Sequence, residues 1–129
     1  MDMQPKIIPS IALAAGTALL AAFAPAGGAK GDAVAGRSAF EKRCTGCHAL
    51  DHEKTRPRLA GVVGRKAGTI PAFPYSDAVK KSGVVWNESV LDKWLTDPET
   101  VILYTDMAFR LDNPVERAAI IAFLKETGK

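Results

Sequence analysis

The segment Cys44-Thr45-Gly46-Cys47-His48 constrains this chain more than any other, because it holds the only two cysteines and sets a histidine directly behind them. A CxxCH run matches c-type haem attachment: two thiols add across the vinyl groups of the macrocycle, and the adjoining imidazole reaches the iron. A chain that carries so large a group must fold around it. Two other readings compete. A structural zinc site needs about four ligands, and beyond the pentapeptide the only spare histidine is His52, with no second cysteine pair. A thiol–disulfide oxidoreductase also uses CxxC, the imidazole then lowering the pKa of a neighbouring thiol. That motif normally follows a strand and opens a helix, whereas here it closes a helical pattern and precedes a long loop.

The stretch ahead of the motif predicts a secretory leader. Met1 to Lys6 is polar with one lysine, Ile7 to Phe23 is mostly apolar, and Ala24-Pro25-Ala26 fits a small-x-small cleavage site. The reading is therefore a leader over 1–26 and a folded domain over 27–129, with cleavage after Ala29 as the other option. An uncleaved anchor is the third, but Pro9, Ser10 and Thr17 interrupt a run barely long enough for a hydrocarbon core of roughly 30 Å. Export favours disulfides. A bridge between Cys44 and Cys47 would close a very short loop and stabilise little, so the two thiols are expected to serve something else.

With 47% hydrophobic and 24% charged residues, the chain reads as one globular domain. The net charge of +3 is unchanged when Asp2 and Lys6 leave with the leader. That excess is too small for a dedicated nucleic-acid binder. It suits docking on an acidic protein partner.

Helix signals punctuate the domain. Asp32 can cap a first helix running to about Cys44, with Val34, Ala35, Ala39 and Phe40 available for an apolar side. Gly36 inside it costs about 1 kcal/mol relative to alanine, which predicts another backbone packing close. From Asp51 to Pro74, prolines and glycines break any period, and a loop of that length needs something to wrap around. Ser76 can cap a short helix ending at Gly83, and Asn87 another through Leu91, Trp94 and Leu95, stopped by Pro98. After a second irregular stretch, Glu99 to Asp112, Asn113-Pro114 with Glu116 begins a last helix to about Glu126. Its Ile120, Phe123 and Leu124 are expected to cross the first helix near Gly36 and Phe40.

A six-coordinate iron needs a second axial ligand. Downstream of the leader the chain offers Met107 and His52. Met107 sits in a loop that can cross to the far face, whereas His52 is only four residues past His48. With both positions filled, substrate has no access to iron, and outer-sphere electron transfer is favoured over catalysis.

The Gly31-Asp32 start, Phe40 before the CxxCH, Pro57 and Leu59, Gly64-Arg65-Lys66-Ala67-Gly68, Phe73-Pro74-Tyr75-Ser76, Trp86, Leu91 through Pro98, and Ile120-Ile121-Ala122-Phe123-Leu124 form one pattern. It resembles the small cytochromes c of the mitochondrial type and their soluble bacterial relatives, called class I. The resemblance covers essentially the whole domain. It implies an all-α class I fold of about four to five helices, with long loops wrapped around one covalent haem c. It implies that the Pro57 carbonyl supports the His48 imidazole, and that Arg65, Tyr75 and Trp86 meet the haem propionates. Thr105 is retained from the methionine loop and joins the cofactor-binding set.

The same resemblance exposes departures. The family's Pro-Gly-Thr-Lys before the ligand methionine reads here as Leu103-Tyr104-Thr105-Asp106. Trp94 stands where many relatives have a tyrosine near the methionine sulfur, and Arg56 replaces a usual glycine before the proline. The implied function is a monomeric periplasmic electron carrier, not an enzyme. Its partners would be a quinol-oxidising complex, an oxidase, a reaction centre or a periplasmic enzyme, with Lys42, Lys66, Lys80 and Lys81 as docking charges. It would meet a membrane only through those partners or an uncleaved leader. Two alternatives stay open: a haem sensor or peroxidase-like protein with a labile Met107, and a dedicated donor to one enzyme through Tyr104 and Asp106.

Overall fold

Two helices that start from side-chain caps at opposite ends of the domain cross through a notch made of glycine. In the computed structural model, which describes residues 31–129, Asp32 Oδ1 accepts from the backbone N–H groups of Val34 (2.9 Å) and Ala35 (3.3 Å). Helix α1, Ala33–Arg43, starts there. Helix α4, Pro114–Glu126, starts where Asn113 Oδ1 accepts from Val115 (2.9 Å) and Glu116 (3.2 Å), with Pro114 in its first turn. A Cβ on Gly36 would lie 1.9 Å from the Ala119 carbonyl oxygen, so only glycine lets the two backbones meet. One helical turn on, the Phe40 and Phe123 rings pack 5.5 Å apart.

The apolar side of α1 is narrower than the sequence predicts. Val34 is 84% exposed and Ala35 also faces outward, while Gly36 and Phe40 are buried and Ala33 and Ala39 half-buried. The contact stripe runs through 33, 36 and 40, the spacing of a single helical face. The leader predicted over 1–26 lies outside the described residues.

Between these helices lie two shorter ones. Helix α2, Asp77–Lys81, begins at the Ser76 cap. It ends two residues earlier than predicted, because Ser82 turns its hydroxyl back to the Val79 carbonyl (2.9 Å). Gly83 then takes φ +68°, the left-handed position just past a helix end. Helix α3, Glu88–Thr96, starts at Asn87, packs on α4 and buries Leu91, Trp94 and Leu95. A 3₁₀ turn, Pro98–Thr100, follows. The fold is all-α; the only extended pairing among the described residues is an isolated bridge, Lys66 with Val85. No helix among these residues is long and apolar enough to cross a membrane.

Candidate haem site

The two irregular stretches, 48–74 and 101–112, enclose a cavity of about 750 Å³ against α3 and α4. Its size falls within the roughly 300–1,000 Å³ of small-molecule and cofactor sites. All nine sequence-predicted site residues line it: Cys44, Cys47, His48, Pro57, Arg65, Tyr75, Trp86, Thr105 and Met107. Leu59, Val62, Leu91, Leu95, Ile120 and Leu124 supply apolar wall. His52 is not among the lining residues; it is largely exposed, with Nδ1 2.7 Å from Asp51 Oδ1.

Cys44 is the residue that closes α1. A helix C-terminus is its negative end, the reverse of the N-terminal position that activates redox thiols. Burial pushes the Cys44 thiol up to about 11. A protonated, half-buried thiol is a poor disulfide-exchange nucleophile, which counts against the oxidoreductase reading at Cys44. Backbone bonds from Cys47 (3.2 Å) and His48 (2.9 Å) to the Cys44 carbonyl then coil the motif into one turn.

His48 Nδ1 lies 2.7 Å from the Pro57 carbonyl oxygen. A carbonyl only accepts, so Nδ1 carries the proton and Nε2 is left with its lone pair, the form that ligates metal. Burial, opposed by the Pro57 bond and joined by the nearby Arg56 charge, lowers the His48 pKa and keeps the ring neutral. Met107 Sδ accepts from Trp94 Nε1 at 3.1 Å, and the Met107 N–H donates to Thr105 Oγ1 at 3.3 Å. The indole of Trp94 meets that of Trp86 edge-on, 4.9 Å between centroids.

Arg65 donates to the carbonyls of Ala60 (3.1 Å) and Arg58 (2.8 Å) and has no carboxylate in ion-pair contact among the described residues. A half-buried guanidinium with spare N–H donors beside a cavity calls for an anionic ligand. Burial lowers its pKa, and a guanidinium in a protein keeps its charge. Burial also raises the Tyr75 pKa, so the phenol stays a neutral donor.

Two arginines outside the sequence-predicted site set tie the loops around the cavity together. Arg117 is 9% exposed and donates to Asp92 Oδ1 (2.7 Å) and to the carbonyls of Leu111 (2.8 Å) and Asp112 (2.9 Å). It ties the exit of the methionine loop to α3 and α4. Its signal was present: an arginine on the stripe that carries Ile120, Ile121 and Leu124. Arg56 Nη2 donates to the Asp106 carbonyl at 2.7 Å, fifty positions away in sequence. Glu116, read as part of the α4 start, sends its carboxylate to Arg43 instead, 2.8 Å from Nε.

These residues fit a haem. A cavity of about 750 Å³ walled largely by apolar side chains has the room and the surface for a large, mainly apolar group. Thiols, a neutral imidazole, a thioether and a cation without a carboxylate partner match the vinyls, iron and propionates of one.

The cytochrome c family model matches residues 33–128. Cytochrome c2 of Rhodomicrobium vannielii is 46% identical over 100 residues, covering 74% of this chain and 79% of its own. Cytochrome c of Tetrahymena pyriformis is 45% identical over 98 residues, covering 74% and 89%. The solved structure of cytochrome cH from Methylobacterium extorquens aligns with a TM-score of 0.70 at 42% identity, over 74% of this chain and 99% of that one. The chain belongs to the cytochrome c family, as a class I c-type cytochrome with one covalent haem c. Its coarse function follows from that membership: it is a mono-haem electron carrier.

Proposed function

We propose that the protein is a periplasmic electron shuttle with His48 and Met107 as the axial ligands of its iron. The single observation that supports this most is the convergence of a tautomer-fixed His48 and a hydrogen-bonded Met107 thioether on one cavity. When bound, haem supplies one-electron iron chemistry. Cys44 and Cys47 anchor it, Pro57 orients His48, and Thr105 shapes the turn that presents Met107. Arg65, Tyr75 and Trp86 receive the propionates, and the apolar wall keeps water from the ring. With His48 and Met107 holding the iron, no position would be left for a substrate, so the chain would transfer electrons without binding one there.

Export by the leader over 1–26 would deliver the domain to the periplasm. Lys42, Lys66, Lys80 and Lys81 are all exposed and supply charge for meeting acidic patches on a quinol-oxidising complex, oxidase or reaction centre. The reading is tested by producing the protein with and without a c-type maturation system. One alkali-stable haem per chain in the pyridine haemochrome spectrum, with a reversible one-electron redox titration, is expected. Failure to find covalent haem overturns it. Association with an acidic redox partner should slow as salt is added; a flat salt dependence argues against lysine docking.

A narrower reading, a dedicated donor to one enzyme, draws on Leu103 (67% exposed) and Tyr104 (85% exposed) beside Asp106. Stable co-purification with a single periplasmic enzyme, lost in Tyr104→Ser, supports it. Equal reactivity with unrelated partners contradicts it.

A further inference from the structure

Arg56 occupies an unusual place. Its backbone N–H donates to the Cys47 carbonyl (3.1 Å), and its own carbonyl accepts from Lys54 (3.0 Å), so its Cα is fixed to the attachment turn. It is followed by Pro57, whose carbonyl holds His48. From this anchored point the half-buried side chain reaches the methionine loop and donates to the carbonyl of Asp106, the residue before Met107. Both ends line the cavity. One guanidinium thus joins the segment that fixes one ligand candidate to the segment that carries the other.

The methionine loop has need of such a tie. Between Ile102, whose N–H goes to Pro98, and Leu111, whose N–H goes to Leu95, no backbone–backbone hydrogen bond forms among the described residues. Where a Pro-Gly turn would stiffen the loop stand Leu103 and Tyr104, and Tyr104 sits at φ +60° with its side chain in solvent. The Arg56 bond is charge-assisted and short, the stronger kind of hydrogen bond.

We propose that Arg56 is a positioning residue: a guanidinium strap across the cavity mouth that replaces the missing turn and keeps the Met107 thioether seated on the iron. This rests on the His48/Met107 reading. The strap also fixes a positive charge close to the axial groups, where it disfavours the more positive, oxidised iron. Loss of the strap should therefore do two separable things: let a competing ligand displace Met107 more easily, and lower the midpoint potential.

The test uses the haem-loaded ferric protein and imidazole as the competing ligand. Wild type should show the weak far-red sulfur-to-iron band, bleached as imidazole binds. Arg56→Gln, which removes the charge and shortens the reach, should bind imidazole about tenfold more tightly, the equivalent of one charge-assisted hydrogen bond, with a lowered potential. Arg56→Lys should restore the potential while recovering only part of the imidazole resistance. Asp32→Ala, which removes the distant α1 cap and so lowers global stability, should leave imidazole affinity unchanged. If wild type lacks the far-red band, both the axial reading and the strap fall. If the band is present but Arg56→Gln matches wild type in imidazole affinity, or Asp32→Ala shifts it equally, the strap alone is overturned.

Discussion

The two sides of the cavity are built by different means. The His48 side is held by backbone: Cys47 and His48 bond back to Cys44, Arg56 to Cys47, Leu59 to Ala49 and Ala60 to Leu50, all between 2.9 and 3.2 Å. The Met107 side is held by side chains: Trp94 on the sulfur, Thr105 on the Met107 N–H, Arg56 on Asp106, Arg110 on Asp97, and Arg117 at the exit. Backbone bonding survives most substitutions, since every residue but proline carries the same donor and acceptor. A side-chain scaffold changes with each residue. In this molecule the His48 side is therefore insulated from sequence drift, while the Met107 side is adjustable one residue at a time.

The largest effect breaks both sides together. Protein made without haem attachment should lose cooperative unfolding and near-ultraviolet circular dichroism, because the apolar side chains that line the cavity then have nothing to pack against. A native-like cooperative melt of the haem-free chain would show that the cavity closes by other means.

The next effects fall on the Met107 side alone. Arg117→Met should cost about 3 kcal/mol in denaturant unfolding of the haem-loaded protein, since Asp92 and two loop carbonyls lose a buried cationic partner. The His48 attachment should stay intact, and a loss under about 1 kcal/mol would mean the loop exit is secured elsewhere. Trp94→Phe removes the N–H on Met107 Sδ and some packing against Trp86; about 1.5 kcal/mol and a far-red band that bleaches at lower temperature are expected. Unchanged bleaching would show that the indole bond does not hold the sulfur.

The smallest effect has the opposite sign. Tyr104 at φ +60° bears about 1–2 kcal/mol of left-handed strain, and glycine there would relieve it while adding about 0.5–1 kcal/mol of unfolded-state entropy. Tyr104→Gly should raise stability by roughly 0.5 kcal/mol net, read from the thermal midpoint. Destabilisation would mean that the tyrosine ring makes contacts that outweigh the strain.

The same division explains what the sequence made legible. Caps at Asp32, Ser76, Asn87 and Asn113 were readable because a cap and the N–H groups it satisfies lie within three residues. The α1–α4 crossing was readable because a glycine in a helix interior needs a reason. The nine cavity residues came from one short motif and a resemblance spread over the chain. Arg56 with Asp106, Arg43 with Glu116 and Arg117 with Leu111 were not readable. Their partners are distant in sequence, and a carbonyl acceptor has no residue type to announce it. Val34 was misassigned because α1 presents one narrow stripe to α4, and a valine one position off that stripe is left in water.

The central claim is that Met107 binds the iron opposite His48. Proton nuclear magnetic resonance of the reduced protein tests it most directly, since a thioether seated over the ring places its methyl group in the ring-current shield. A three-proton resonance displaced far upfield is expected in wild type and should vanish in Met107→Leu. Its absence from wild type, or its persistence in the variant, would contradict the account.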